Sequence, residues 1–317
     1  MIEVQGSRYK VCKKIFLLCY LLIVNCSLAN AVSFRYAVIP ENPRPGEPVT
    51  IGVHTSSGVR TVALLAGGKR LARSAFFTVP EEEGNVSFLA AILPVPSTVK
   101  PGVVTIVFEA ANGILGEVPM EIVKRDFVSE VIELNPVLTG VRTDPDPQKT
   151  AESARLSAII NHTGKDVFCY GSFVPPVTAT RRTSFFGDRR VYKYSNGSSD
   201  TSIHAGIDYG VPKGTVVTSC GPGKVVLARS RIVTGNSIVI EHLPGVYSLY
   251  YHLDKIEVEE GTMVATGATL GLSGATGLAT GPHLHWEIRV SGENSDPDAF
   301  IARPILDKDA ILSKINS

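Results

Sequence analysis

The chain has 317 residues, a formal net charge of +1, and 29 glycines and 20 prolines. That length accommodates two domains, and the balanced charge excludes both a basic footprint for nucleic acid and an acidic tail. So many turn formers, with no long clean helical period, point to a mainly β protein.

At the start, Arg8, Lys10, Lys13 and Lys14 precede the apolar run Ile15–Val24, and Ala29-Asn30-Ala31 supplies a small-residue cleavage pattern. Residues 1–31 therefore read as an export signal cut after Ala31. The run is short against the roughly 20 residues that span a bilayer, so no spanning segment is expected. Lipidation at Cys26 is a second reading, ranked lower because Asn25 suits the position before a lipidated cysteine poorly. The expected location is the periplasm or the cell envelope. Cys12, Cys19 and Cys26 fall in the signal, which leaves Cys169 and Cys220 as a disulfide or as two free buried thiols. Neither has a nearby Cys-x-x-Cys partner, so no metal role is assigned to them.

Residues 32–125 read as a small immunoglobulin-like β-sandwich. In "PRPGEPVTIGV" a turn feeds a strand in which Val49, Ile51 and Val53 alternate with polar or small residues. Hairpins are expected around Gly67-Gly68 and at Asn112-Gly113. No titratable cluster appears there, and His54 reads as a surface residue, so recognition or spacing is the expected role, with a cell-envelope protein as the partner it would engage. Residues 126–178 form a linker: "TDPDPQ" breaks the chain, and Leu156, Ile159 and Ile160 in "TAESARLSAIIN" lie at helical spacing for one short helix. His162, just beyond, reads as a solvated helix-end residue.

Residues 179–303 change texture. Short apolar strands such as "TVVTSCGPGKVVLA" and "TMVATGATLGLSG" are punctuated by glycine, as an antiparallel sheet of short strands requires, and 304–317 follow as a tail. "SIHAGIDYG" carries His204 and Asp208, an even offset that allows one strand face, with Gly206 between them for close backbone approach. "YSLYYHLD" carries His252, with Ser248 and Tyr250 on its face by alternation. "TGPHLHWEI" carries His283 and His285, which a strand aims to one side about 6.5 Å apart while Leu284 and Trp286 face a core. His242 in "IEHLPG" has no such companions and reads as structural.

Imidazoles and one carboxylate suit zinc, which catalytic sites hold with three protein ligands and a water. Five candidate groups leave two over, and spare histidines beside a metal are what hydrolysis uses to take and give protons. A single His-x-His on a strand is more often ordinary surface chemistry; the joint occurrence, in order, with glycine-rich turns between, is what singles these residues out.

"HAGIDYG", "YYHLD" and "TGPHLHWE", together with "SFFGDRR" (Ser184–Arg190) and "GATGLATGPHLHWEI" (Gly274–Ile288), resemble the lysostaphin-type zinc endopeptidases over roughly residues 183–300. The resemblance implies a zinc metalloendopeptidase that hydrolyses peptide bonds in bacterial peptidoglycan, with one Zn2+ per chain. It implies His204, Asp208 and His285 as zinc ligands and His252 and His283 as the catalytic pair, with His283 the better candidate base. Some relatives have lost ligands and only activate other wall hydrolases; that competing reading loses ground here because every expected ligand is present. A metal-binding structural module is a third reading. Whether Tyr192 or Tyr194 in "RRVYKYSNGSSD" reaches an oxyanion is left open by the sequence.

Overall fold

The computed structural model describes residues 34–80 and 88–317. The expected signal and Cys26 lie outside the described residues. No helix among the described residues is long and apolar enough to cross a membrane.

The alternation at the start of the chain does what its period dictates. Val49, Ile51 and Val53 are fully buried on one face of strand Val49–His54. That strand lies in a sheet with Tyr36–Ile39, Phe88–Leu93 and Phe77–Val79. A second four-stranded sheet holds Lys69–Ala75, Thr61–Ala66, Gly102–Ala110 and Gly113–Ile122. Leu64, Ile106 and Phe108 of the second sheet close one apolar core with the valines of the first, giving the expected sandwich. Both expected hairpins form, between Ala66 and Lys69 and between Ala110 and Gly113.

The outer face of the first sheet is also covered. A Cβ on Gly52 would lie 2.2 Å from Ile311 Cγ2, so the bare backbone there lets helix Lys308–Asn316 lie against the strand. Ile311 and Ile315 of that helix are fully buried, in one cluster with Ala37, Phe77 and Phe88 of the sandwich and Trp286, Ile288 and Phe300 of the second half. Polar ties follow the same seam. Arg125 meets the buried Asp296 at 2.6 Å, and Thr50 Oγ1 donates to the Ile305 carbonyl at 2.8 Å. The last residues of the chain thus fasten its two halves together.

The connecting segment holds more than one helix. Strand Ser129–Glu133 is followed by helices Pro136–Thr143 and Pro147–Ile160. Each starts in the same way: Asn135 and Asp146 accept hydrogen bonds from Leu138 N and Gln148 N, and a proline occupies the first turn. "TDPDPQ" is therefore the gap between two helices and the cap of the second. Strand Ser129–Glu133 runs parallel to Arg189–Lys193, which pairs in turn with Ser199–Ile203.

The second half is an antiparallel sheet ordered Arg182–Ser184, Gly206–Tyr209, Leu284–Val290, Val246–Ile256, Gly235–Leu243, Gly223–Arg231 and Met263–Val264. One face buries Ile207, Tyr250, Leu284, Trp286 and Ile288. The other presents Asp208, Tyr251, His285 and Glu287 to a groove of about 230 Å³. Cys169 and Cys220 are free thiols buried within the core, where desolvation pushes their pKa values up to about 11 and about 12.

Candidate active site

Adjacent strands Gly206–Tyr209 and Leu284–Val290 place Asp208 directly opposite His285. His204 does not share the Asp208 strand, as the even offset had suggested; it sits in the corner between strands Ser199–Ile203 and Gly206–Tyr209. Nor does Gly206 serve a bound group: a Cβ there would lie 2.1 Å from the Trp286 carbonyl oxygen, so the glycine permits the two strands to meet. The corner brings His204 Nε2 to 3.1 Å from Asp208 Oδ1 and 3.0 Å from His285 Nδ1, and His285 Nδ1 lies 2.7 Å from Asp208 Oδ1. Three donor atoms thus face one point, and all three residues are buried.

The far side of each group is anchored. His204 Nδ1 donates to the Phe185 carbonyl at 2.8 Å, which leaves Nε2 free to ligate. His285 Nε2 lies 2.9 Å from Glu287 Oε1, and the second carboxylate oxygen of Glu287 takes Arg289 at 2.7 Å. Asp208 Oδ2 accepts Arg190 Nη2 at 2.7 Å, so Oδ1 alone points at the histidines. Such outer partners fix tautomer and orientation in metal sites.

The electrostatics also favour a cation. Burial opposes charge on His285, yet Asp208 and Glu287 on either side outweigh it and push its pKa up to about 9. Burial likewise opposes ionisation of Asp208, but the His285 and His204 rings hold it well below the usual carboxylate range. Glu287, despite its burial, is drawn down to about 2 by Arg289 and His285. A proton on His285 stands where a divalent ion would satisfy the same carboxylate. Donors on a tetrahedral zinc, each at about 2.0–2.2 Å, lie about 3.3 Å apart, so this triangle needs only a few tenths of an ångström of opening. The residues fit the group.

His283 and His252 stand beside the triangle. His283 immediately precedes strand Leu284–Val290, and its Nε2 is 3.9 Å from Asp208 Oδ1 while Nδ1 donates to the Gly281 carbonyl at 2.8 Å. The His252 and His283 ring centroids are 4.8 Å apart. Alternation had put His252 on the face of Ser248 and Tyr250. Those two point into the core instead, and Tyr251 faces the groove, stacked on His285 with centroids 5.5 Å apart and planes 4° from parallel. His252 joins the groove because strand Val246–Ile256 bulges there and its backbone takes φ 62°, in the left-handed region. Its Nδ1 donates to the Thr276 carbonyl at 2.7 Å. Desolvation lowers both pKa values, that of His252 to about 3 with help from the neighbouring His283, while Asp208 partly offsets the fall at His283.

The motif "SFFGDRR" is the scaffold of this corner. Beyond the Phe185 carbonyl, Asp188 O accepts the His204 backbone N–H at 2.8 Å and Gly187 N–H returns a bond of 2.9 Å to His204 O. Sequence reasoning passed over Glu287, Arg190, Tyr251 and Glu130, whose carboxylate pairs with Arg190 from strand Ser129–Glu133. Glu287 carried a signal, being two residues beyond His285 on one strand face. Arg190 and Glu130 meet across 60 positions and carried none. Tyr192 lines the groove beneath Arg142, whereas the Tyr194 hydroxyl is bound to Arg142 and Asp200. His242, as expected, is structural: it is fully buried, with Nδ1 2.7 Å from the Pro222 carbonyl and Nε2 2.7 Å from Ser248 Oγ.

Comparison with known proteins agrees with this picture. Peptidoglycan DD-endopeptidase ShyB of Vibrio cholerae is 45% identical over 93 residues, 29% of this chain and 22% of its own length. ShyA, a DD-endopeptidase of the same organism, is 41% identical over 112 residues, 35% of this chain and 25% of its own. DD-carboxypeptidase/endopeptidase Mpg of Neisseria meningitidis is 36% identical over 127 residues, 40% of this chain and 28% of its own. The chain therefore spans about a quarter of the length of these relatives. A crystal structure from Pseudomonas aeruginosa, described as a peptidase M23, has a TM-score of 0.57 at 25% identity and covers 82% of this chain and 94% of its own. That likeness reaches beyond the histidine-bearing sheet into the preceding half. The stretch with all five candidate side chains, residues 202–297, matches the model of peptidase family M23.

Proposed function

We propose that the protein is an exported, zinc-dependent endopeptidase that hydrolyses peptide bonds in bacterial peptidoglycan. The observation that carries this reading is the convergence of His204, Asp208 and His285 on one point, with His252 and His283 left over beside it in the same groove. His204, Asp208 and His285 would hold one zinc ion. When bound there, zinc supplies Lewis-acid polarisation of a peptide carbonyl and acidifies a water molecule.

The chain's own residues provide the proton chemistry. His252 and His283 both donate Nδ1–H to a backbone carbonyl, so in each ring Nε2 is the atom left to accept a proton. His283 Nε2 is the candidate base: Asp208 nearby favours the imidazolium that forms when it takes a proton. The proton that His283 Nε2 takes from the water would pass on to the leaving amine, and His252, with its ring 4.8 Å from that of His283, would stand on the other side of the developing oxyanion; the two histidines could exchange these roles. Tyr251, stacked on His285, and Glu287 hold that ligand in register. The names of ShyA, ShyB and Mpg support peptidoglycan as the substrate. The sandwich would place the enzyme on the wall or engage an envelope partner.

The test is digestion of purified peptidoglycan by the protein stripped of metal and then restored with zinc, with fragments identified by mass spectrometry. New cleavage products only in the zinc-restored sample support the proposal and identify the bond. A zinc-loaded protein that releases nothing yet stimulates a partner amidase would leave the activator reading in its place.

A further inference from the structure

The groove has a second wall that the histidine-bearing sheet does not build. Ile132 and Leu134, at and just beyond the end of strand Ser129–Glu133, and Arg142 of helix Pro136–Thr143 line the same opening as the histidines. The Arg142 guanidinium lies 3.9 Å from the centroid of the Tyr192 ring. Its Nε donates to the Tyr194 hydroxyl at 2.9 Å, and Nη2 donates to Asp200 at 2.9 Å. Stacking and two bonds fix the planar fork before anything binds, which reduces the ordering cost of binding.

The charge of that fork is only partly spent. Asp200 is 54% exposed against 22% for Arg142, so the pair is a rim contact well screened by water. Nη1 makes no hydrogen bond to any described residue. The other strong charges of the groove are committed: Arg190 to Glu130 and Asp208, and Glu287 to His285 and Arg289. Among the described residues lining the groove, Arg142 is therefore the less compensated cation, with one exposed carboxylate beside it where Arg190 has two, and it is set beside apolar Ile132, Leu134 and Ile203.

We infer that Arg142 forms a carboxylate-binding subsite, taking a free carboxylate of a peptide laid along the groove, with Ile132 and Leu134 against the adjoining aliphatic chain. The inference rests on the peptidase reading and names a feature of its substrate. A guanidinium receives a carboxylate through charge-assisted hydrogen bonds, whereas a carboxamide lacks the charge and turns an NH2 group towards the same donors. Arg142 is in this sense a specificity-determining residue and does not touch the reacting bond.

The experiment uses the full mature chain, zinc-loaded, and two synthetic cross-linked stem peptides identical except that one has its free carboxylates amidated. Turnover and calorimetric binding are measured for both. Amidation is expected to raise KM and Kd about 10- to 100-fold, the span of a charged hydrogen bond, with kcat changed less than about twofold. Arg142→Gln should weaken the acid peptide by a similar factor and abolish the discrimination, and Arg142→Lys should restore part of it. Equal kcat/KM and Kd for the two peptides with the wild type overturns the subsite, as does full discrimination retained in Arg142→Gln. Should the variant not fold, the wild-type pair of peptides decides alone. If neither peptide is cleaved, the peptidase reading fails, while the binding difference still decides the subsite.

Discussion

The sandwich and the histidine-bearing sheet are built on the same period of two, and they differ in where that period is broken. In strand Val49–His54 the alternation runs unbroken through Val49, Ile51 and Val53, and every inward residue is apolar. In the second sheet, Leu284, Trp286 and Ile288 keep the same regularity on the core side. On the groove side it fails at two places, the corner at His204 and the bulge at His252 with its φ of 62°. Both departures deliver an imidazole to the same groove. Left-handed backbone costs a non-glycine residue of order 1–3 kcal/mol, which a well-packed sheet on either side can hold in place.

The comparison breaks most sharply at the triangle of His204, Asp208 and His285. His204→Ala, Asp208→Ala and His285→Ala are each expected to drop zinc from one per chain towards zero and to abolish hydrolysis, while a change of similar size in the sandwich leaves both intact. Metal content by mass spectrometry checks this, and stoichiometric zinc retained in Asp208→Ala would remove that residue from the ligand set.

The next effect separates the two histidines from the ligands. His252→Ala and His283→Ala should keep the fold and the zinc but lose about 10²- to 10⁴-fold in rate, the span for a positioned acid–base group. Rates on a soluble peptide, normalised to bound zinc, are the measurement; a variant at near wild-type rate has been given the wrong role.

How far these residues were legible depends on the range of the contact that defines them. His283 and His285 announce themselves locally, and Asp208 falls opposite His285 through strand pairing alone. The corner at His204 and the bulge at His252 are backbone departures, and a period-two reading sets both residues on regular strands. The helix Pro136–Thr143 was signalled by Asn135-Pro136, a capping residue followed by proline, and was passed over in favour of the apolar spacing of the next helix. The groove wall from the linker was hidden for another reason. Glu130, Ile132 and Arg142 meet Arg190 and Tyr192 only because strand Ser129–Glu133 adds in parallel to Arg189–Lys193, a pairing that no local pattern encodes.

That added strand gives a smaller and sharper test. Glu130 pairs with Arg190, which in turn holds Asp208 Oδ2, so Glu130→Ala frees the arginine that aims a proposed metal ligand. Zinc affinity should fall about 10- to 100-fold, as for other outer partners of metal ligands, with Glu130→Gln intermediate. Competition with a chelator reads the affinity directly. Unchanged zinc affinity would confine strand Ser129–Glu133 to shaping the groove.

The smallest effect at neutral pH belongs to His242, the histidine of this sheet that lies outside the groove. It is fully buried against Cys220, Ser248 and Phe173, and desolvation lowers its pKa to about 4, against about 6.5 for a histidine in an unfolded chain. Between those values the unfolded chain takes up a proton that the folded protein refuses. Its contribution is therefore complete above pH 6.5, declines as the pH falls, and levels off below about pH 4, a loss of about 3 kcal/mol in all. His252, His204 and His283 are also depressed, so the wild-type curve alone does not isolate His242. The difference between wild type and His242→Asn does, because the other groups cancel. Denaturant midpoints across pH 4–8 should show the variant less stable at neutral pH, where it forfeits a buried bond to Pro222 or Ser248, and should show the gap narrowing as the pH falls through the window from 6.5 to 4. A gap that stays constant across the window would mean that His242 changes its protonation in the fold no differently from the unfolded chain.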